Sequence, residues 1–328
     1  MLSIKMLRLV SFSLLAALLH ANDASAQAFD CPSQTLTIVA PVPPGGAIDL
    51  LVREFAPRLA KATGQTVIVE NHNGGSGMVG AAHVLSRPAD GCTLIASLSS
   101  KTTIRLIEPS LKIDPMKDFT PVAMLGVSPV IIVAPPSSGI KDFNQFKEFL
   151  AKADGKAAWG STGTGLAPHL AGETLLSAIN AKATHVPYRG GPPMHLDLLP
   201  GRLAYGLDGV TNVLALIQAG KLVPIAVVGQ ARAPQLPNVP TLGELGVSDF
   251  TKFVYDGWTS IDVRSGTPSQ VVQSLSREIS TLLANGEFKE KALSIGMRLF
   301  PPNTSQEAQK TQDDIVRRVT PIVSQVAR

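Results

Sequence analysis

Between Leu36 and Leu59 the chain reads LTIVAPVPPGGAIDLLVREFAPRL, and this stretch restricts the possible folds more than any other. A β-branched run at Thr37, Ile38 and Val39 stops at Pro41. An apolar stripe then recurs at Leu51, Phe55 and Leu59, spaced i, i+4, i+8. The pattern is a buried strand, a tight loop and an amphipathic helix. Pro41, Pro43 and Pro44 stiffen the loop and carry no amide hydrogen. Gly45 and Gly46 leave the amides of residues 45–47 bare at a helix start, where the macrodipole favours negative charge. The loop reads either as a carboxylate or phosphate cradle or as an ordinary strand-to-helix turn.

Upstream, Lys5 and Arg8 precede an apolar run from Leu9 to Leu19, and Ala24-Ser25-Ala26 follows. This is the pattern of a secretory signal peptide over residues 1–26, which predicts a periplasmic protein. Without it the net charge falls from +4 to +3, since Lys5, Arg8 and Asp23 are lost. A bias that weak, with no Lys/Arg block, gives no nucleic-acid footprint. About 300 mature residues suffice for two domains with separate cores. Cys31 and Cys92, in an oxidising compartment, are either a disulfide or two separate buried thiols.

Strands and helices then alternate in a way that predicts parallel strands with crossover helices. Strands are expected at 66–70 and 93–97, with a helix over 79–86. The glycines at 75, 77 and 80 match G-x-G-x-x-G, but Ser97 to Lys101 stand where a ribose-binding acid belongs, so a dinucleotide site is rejected. From Asp114, DPMKDFTPVAMLGVSPVIIVAPP holds two β-type runs with no helix between, a candidate domain crossing. A second βα series follows, and residues 255–263 form a second crossing. The final helix carries Ile315, Val319, Ile322, Val323 and Val326 on one face, predicted to dock on the first domain. The architecture is α/β in two lobes, residues 27–127 with 255–328 and residues 128–254, around a cleft.

The loop from Ser161 to Pro168, STGTGLAP, also follows a strand and precedes a helix. It offers hydroxyls at Ser161, Thr162 and Thr164 and bare amides at Gly163 and Gly165. Two facing loops of this type form a pincer for an anion. Catalytic signatures are missing: there is no G-x-S-x-G, H-E-x-x-H or C-x-x-C, and the histidines have no metal-ligand spacing. Ser161 with His169 is the one nominated nucleophile–base pair. No cofactor or metal is expected.

Taken together, PPGGAID, VIVENHNGGSGMVGA, PADGCTLI, DPMKDFTPVAML, GSTGTGLAPHLAGE, VPYRGGPP, LDG and LPNVPTLGELG resemble the Bug family, the periplasmic solute-binding proteins of tripartite tricarboxylate transporters. The resemblance implies a type II, Venus-flytrap binding protein that holds a small carboxylate, an organic acid or an amino acid, between two βα loops. Carried over by position, the ligand contacts are Pro44, Gly45, Gly46 and Asp49 in the first lobe and Ser161, Gly163, Thr164, Gly165, His169 and Asp208 in the second. It also implies a monomer delivering to a membrane permease. A receptor feeding a sensor protein, or a periplasmic α/β hydrolase, is the alternative. Asp49 serves either the helix dipole or a ligand ammonium.

Two departures bear on the ligand. Leu166 stands where the family commonly has Ser or Thr, and Ser99 to Arg105 (SSKTTIR) replaces a neutral loop. Lys101 or Arg105 is accordingly expected to supply a cation to a second anionic group on the ligand. The competing expectation is that both point into solvent.

Overall fold

The computed structural model describes residues 31–229, 231–250 and 256–326. The expected signal peptide and the expected second boundary at Tyr255 lie outside them. The first unit is β1 (Thr35–Ala40), α1 (Ala47–Thr63), β2 (Thr66–Asn71), α2 (Met78–Leu85) and β3 (Thr93–Leu98). After short helical turns come the successive strands β4 (Phe119–Ser128) and β5 (Val130–Ala134). The second unit continues with α3 (Phe143–Ala153), β6 (Ala158–Ser161), α4 (Ala167–Ala178), β7 (Thr184–Pro187), α5 (Gly191–Leu198), β8 (Tyr205–Gly209), α6 (Val210–Gln218) and β9 (Val223–Val227). The chain then returns through β10 (Gly257–Arg264) to α7 (Ser269–Ala284), α8 (Gly286–Ser294), β11 (Arg298–Leu299) and α9 (Ser305–Val326).

These strands make two sheets, ordered β11-β4-β10-β3-β1-β2 and β7-β6-β8-β5-β9. Both are mixed rather than wholly parallel. β10 runs antiparallel to β3 and β4, and β5 antiparallel to β8 and β9. β5 and β10 are the strands by which the chain enters each sheet from the other, directly after β4 and β9 in strand order, so no crossover helix within the sheet aligns them with its parallel strands. The parallel expectation holds for β1 with β2 and β3, and for β6 with β7 and β8.

Each lobe has its own core. Leu36, Ile38, Leu51, Phe55 and Leu59 pack with Leu275, Ile279, Leu283 and Phe288 in the first. Phe146, Trp159, Leu170, Tyr205 and Phe250 fill the second. The chain passes from the first sheet to the second at Pro129, between β4 and β5.

The last helix departs from expectation. Its Val319 and Val323 lie in the second lobe's core beside Leu170 and Leu175, whereas Ala308 packs with Met124 and Trp258 of the first. At 22 residues the helix is about 33 Å long, more than one lobe's face requires, so it straps both. The chain closes with three helices; Asn285 separates α7 from α8 and caps the latter by accepting the Phe288 N–H at 2.9 Å.

Cys31 and Cys92 form a disulfide with a Cα–Cα distance of 5.7 Å across 61 residues. It ties the segment before β1 to the start of β3, where the Thr37 N–H also donates to Cys92 O at 2.9 Å. In the chain-entropy picture, closing a loop of that length stabilises by about 4 kcal/mol. The Cys31→Ser/Cys92→Ser variant should melt well below the native protein in thermal unfolding. An unchanged melting temperature would show that β1–β3 pairing alone fixes this edge.

Candidate functional site

A cavity of about 250 Å³ opens between the lobes. Five helices begin on its wall: α1 at Gly46, α2 at Gly77, α4 at Leu166, α5 at Gly190 and α6 at Gly209. None of these five cap positions has a side-chain hydrogen bond to its helix. α3 and α8, which begin away from the cleft, are capped by the side chains of Asp142 and Asn285. α7, also away from the cleft, begins at Pro268 without a side-chain cap, and three cleft amides are accepted by side chains of other elements, Ala47 by Asn212, Ala167 by Ser99 and Thr211 by Ser128. βα connectivity explains the convergence, because each helix starts at the carboxyl end of a strand and those ends face the cleft.

Residues on opposite walls already touch. The Ala47 N–H donates to Asn212 Oδ1 at 2.6 Å, Ser76 Oγ to Thr164 O at 2.7 Å, and Thr103 Oγ1 to Gly165 O at 2.6 Å. The lobes are therefore closed on one another. Asn212 is oriented by Asp208, whose Oδ1 accepts from Asn212 Nδ2 and from the Gly209 N–H, and whose Oδ2 meets His195 Nε2 at 2.9 Å.

Of the expected site residues, Gly46, Gly163, Thr164 and Asp208 line this cleft. The others have different roles. Pro44 and Gly45 are exposed outside it. Asp49 is buried and accepts from the Gly45 N–H at 2.9 Å, Arg53 Nε at 2.9 Å and Asn71 Nδ2 at 2.8 Å, so it braces the loop and has no room for an ammonium. Burial tends to raise its pKa, yet the bonds from Arg53, Asn71 and Gly45 with the Arg53 charge hold it below the usual carboxylate value. Gly165 faces a second cavity behind the cleft. Both expected cations are committed elsewhere. Lys101 Nζ lies 2.6 Å from Asp262 Oδ2 in a fully buried pair, and Arg105 donates to the carbonyls of Pro109 and Leu111. A buried carboxylate on β10 needs a buried partner, and Lys101 is the one within reach.

Ser161 and His169 are not a catalytic pair. Ser161 Oγ lies 2.7 Å from His185 Nε2 and is wholly buried, whereas His169 Nδ1 accepts the Gly165 N–H at 3.1 Å. The two imidazoles stack with centroids 4.3 Å apart and hold both ends of the Ser161–Gly165 loop. Burial depresses His169 to about 4, and burial with the neighbouring His169 depresses His185 to about 3. Glu173 joins them, and Glu70, His72 and His83 form a second such cluster. Sequence spacing gave no sign of either. Both imidazole pairs are stacked, at 4.3 and 3.8 Å, so their in-plane lone pairs run side by side rather than converging on one ion.

Several cleft residues escaped the sequence reading. Ser76 and Gly77 belong to the loop dismissed as a false dinucleotide motif, and Tyr188 to Gly191 belong to the VPYRGGPP segment. Asn212 and Trp258 also line the cleft. The YRGG glycines preceding a helix were the available signal; Asn212, one turn into α6, gave none.

The sequence profile described as "Tripartite tricarboxylate transporter family receptor" matches residues 51–327. A UPF0065 protein encoded between tcbD and tcbE in a Pseudomonas species is 32% identical over 87% of this chain and 84% of its own length. BugT of Bordetella pertussis is 30% identical over 77% of each chain. Among solved structures, R. palustris Rpa4515 with adipate superposes with a TM-score of 0.85 at 28% identity, covering 90% of this chain and 98% of that one. MatC from Rhodopseudomonas palustris with bound malate gives 0.82 at 26%, covering 89% and 100%.

The histidine pair sets a pH response. Both folded-state values lie below the ordinary 6.5, so the stability that neutral imidazoles contribute is complete above pH 6.5 and is lost as the pH falls through about 4 and then 3. Each unit of descent in that window costs about 1.4 kcal/mol per histidine before the lobe relaxes. His169→Gln, which keeps an acceptor for the Gly165 N–H, should flatten the fall in melting temperature between pH 7 and 4.5. Parallel profiles for the two proteins would place the acid sensitivity elsewhere. Asn212→Ala, losing the bond to Ala47, should weaken ligand binding about two- to tenfold.

Proposed function

Because the chain belongs to the tripartite tricarboxylate transporter receptor family, we propose that it is an exported solute-binding protein that captures a small carboxylate in this cleft and presents it to a membrane permease of that transporter type. The observation that carries the reading is the convergence of five helix starts, two from the first lobe and three from the second, on the lining of one cavity. Each favours an anion by about 0.3–1 kcal/mol at an exposed site, and more in a partly buried one. Thr162 and Thr164, both on the wall, add hydroxyls, and the Thr164 and Gly191 amides have no partner among the described residues. Relatives of similar structure hold adipate and malate. A cavity of about 250 Å³ is the share of roughly eight liquid waters, which suits an acid of that size.

In this reading, residues 27–127 with 255–328 and residues 128–254 close as two bodies about Pro129 and the crossing that enters β10. The bonds from Ala47 to Asn212 and from Ser76 to Thr164 select the closed form once the ligand neutralises the helix starts. The protein acts as a monomer and a binder, not an enzyme; Ser161, beside His185, is sealed from the cleft.

Thermal-shift screening of the mature protein against mono-, di- and tricarboxylates and amino acids tests the reading. A ligand at a hundredfold its Kd should add about 2.7 kcal/mol of stability. Thr164→Val should then lower the affinity of the best hit about five- to tenfold, in keeping with one hydrogen bond to a charged group. A screen in which no carboxylate raises the melting temperature would overturn it.

A further inference from the structure

Among the described residues, two charged ones line the cleft, Asp208 and Arg189. Asp208 is fully buried, with both carboxylate oxygens occupied by His195, Gly209 and Asn212. Arg189 is exposed and has no hydrogen bond or ion pair among the described residues. Other cleft-proximal cations are neutralised: Arg53 by Asp49, and Lys101 by Asp262. Among the described residues that line the cavity, Arg189 is therefore the unpaired positive charge.

Its position is fixed by both neighbours. The Tyr188 N–H donates to Ser161 O at 2.9 Å, and the Gly190 N–H to Thr162 O at 3.0 Å, so the Arg189 backbone is stapled beside the Thr162–Thr164 loop. Tyr188 OH donates to Asp197 Oδ2 at 2.7 Å, which anchors the same segment on its outer side. Gly190, at φ +108°, lies so close to the first lobe's Pro43 that a Cβ there would come within 2.8 Å of Pro43 Cδ. The loop carrying Arg189 thus abuts the opposite lobe at the rim. The lining also carries apolar side chains, Val42, Ile48, Leu98, Val130, Leu166 and Trp258. Leu166 adds to that apolar lining.

We propose that Arg189 is the specificity residue of this cleft: with one carboxylate at the helix starts and a hydrocarbon spacer along Leu98, Leu166 and Trp258, its guanidinium takes the second carboxylate at the rim. This rests on the carboxylate reading above and adds which residue selects a ligand charged at both ends. A planar guanidinium suits the role, because it pairs with a carboxylate through two parallel N–H bonds.

The test is calorimetric titration of the mature protein with straight-chain dicarboxylates of four to eight carbons and with monocarboxylates of matching length. The native protein should bind its best dicarboxylate roughly tenfold or more tighter than the matched monocarboxylate. Arg189→Gln should erase that ratio while leaving monocarboxylate affinity within about twofold. Arg189→Glu should turn the preference toward the ω-amino acid of the same length. Equal binding of mono- and dicarboxylates by the native protein, an unchanged ratio in Arg189→Gln, or an equal loss of both ligand classes overturns the assignment. Failure of every carboxylate to bind the native protein overturns the cleft reading itself, and this inference with it. Because Arg189 is exposed, unchanged circular dichroism and melting temperature of the variants separate a lost contact from a lost fold.

Discussion

The insertion of β10 between β3 and β4 is the constraint on which the rest of the molecule depends. A strand from the far side of the second lobe lies in the middle of the first lobe's sheet, paired with β4 from Gly257↔Ser128 to Arg264↔Phe119. Two antiparallel neighbours therefore leave the first sheet side by side, and the second lobe hangs from them. This sets the cleft between the lobes and brings Ser128, Gly257 and Trp258 to its wall. The insertion also explains the buried Lys101–Asp262 pair. Asp262 sits on β10 with Ser260 Oγ donating to Oδ1 at 2.7 Å, and Lys101 reaches its other oxygen from the turn after β3. Removing either partner would strand a charge in the interior, which costs several kcal/mol.

Hung in this way, the lobes point the carboxyl ends of their parallel strands at each other, and the electrostatics follow from chain direction. Helix starts gather at the cleft whatever the side chains, although the Ala47, Ala167 and Thr211 amides are accepted by Asn212, Ser99 and Ser128 and Pro168 and Pro192 carry no N–H. The closing bonds use main-chain atoms on at least one side in every case, Ala47 N, Thr164 O and Gly165 O. Closure is therefore read by the loops' shape rather than by matched charges. Behind the second loop, the stacked neutral His169 and His185 fix its two ends, His185 through Ser161 Oγ and His169 through the Gly165 N–H.

The α9 helix adds a third connection. Ala308 belongs to the first lobe's packing and Val319 to the second's, so this helix packs against both lobes. The second cavity, lined by Thr103, Trp258 and Ile315, lies where those surfaces meet.

The sequence by itself determined the local units: the strand-loop-helix of Leu36–Leu59, the matching loop at Ser161–Pro168, the βα alternation and the break in it near Pro129. Short-range spacing, proline and glycine encode these directly. It also carried the family's motifs, and with them the two-lobed fold and Gly46, Gly163, Thr164 and Asp208. Only the tertiary structure decided which charges face the cleft. Asp49, Lys101 and Arg105 look available in sequence, yet each is consumed, the first by Gly45, Arg53 and Asn71, the second by Asp262 from 161 residues away, the third by the carbonyls of Pro109 and Leu111. A charge is free or spent according to what packs against it, and that depends on contacts between segments whose separation along the chain holds no record of their distance in space.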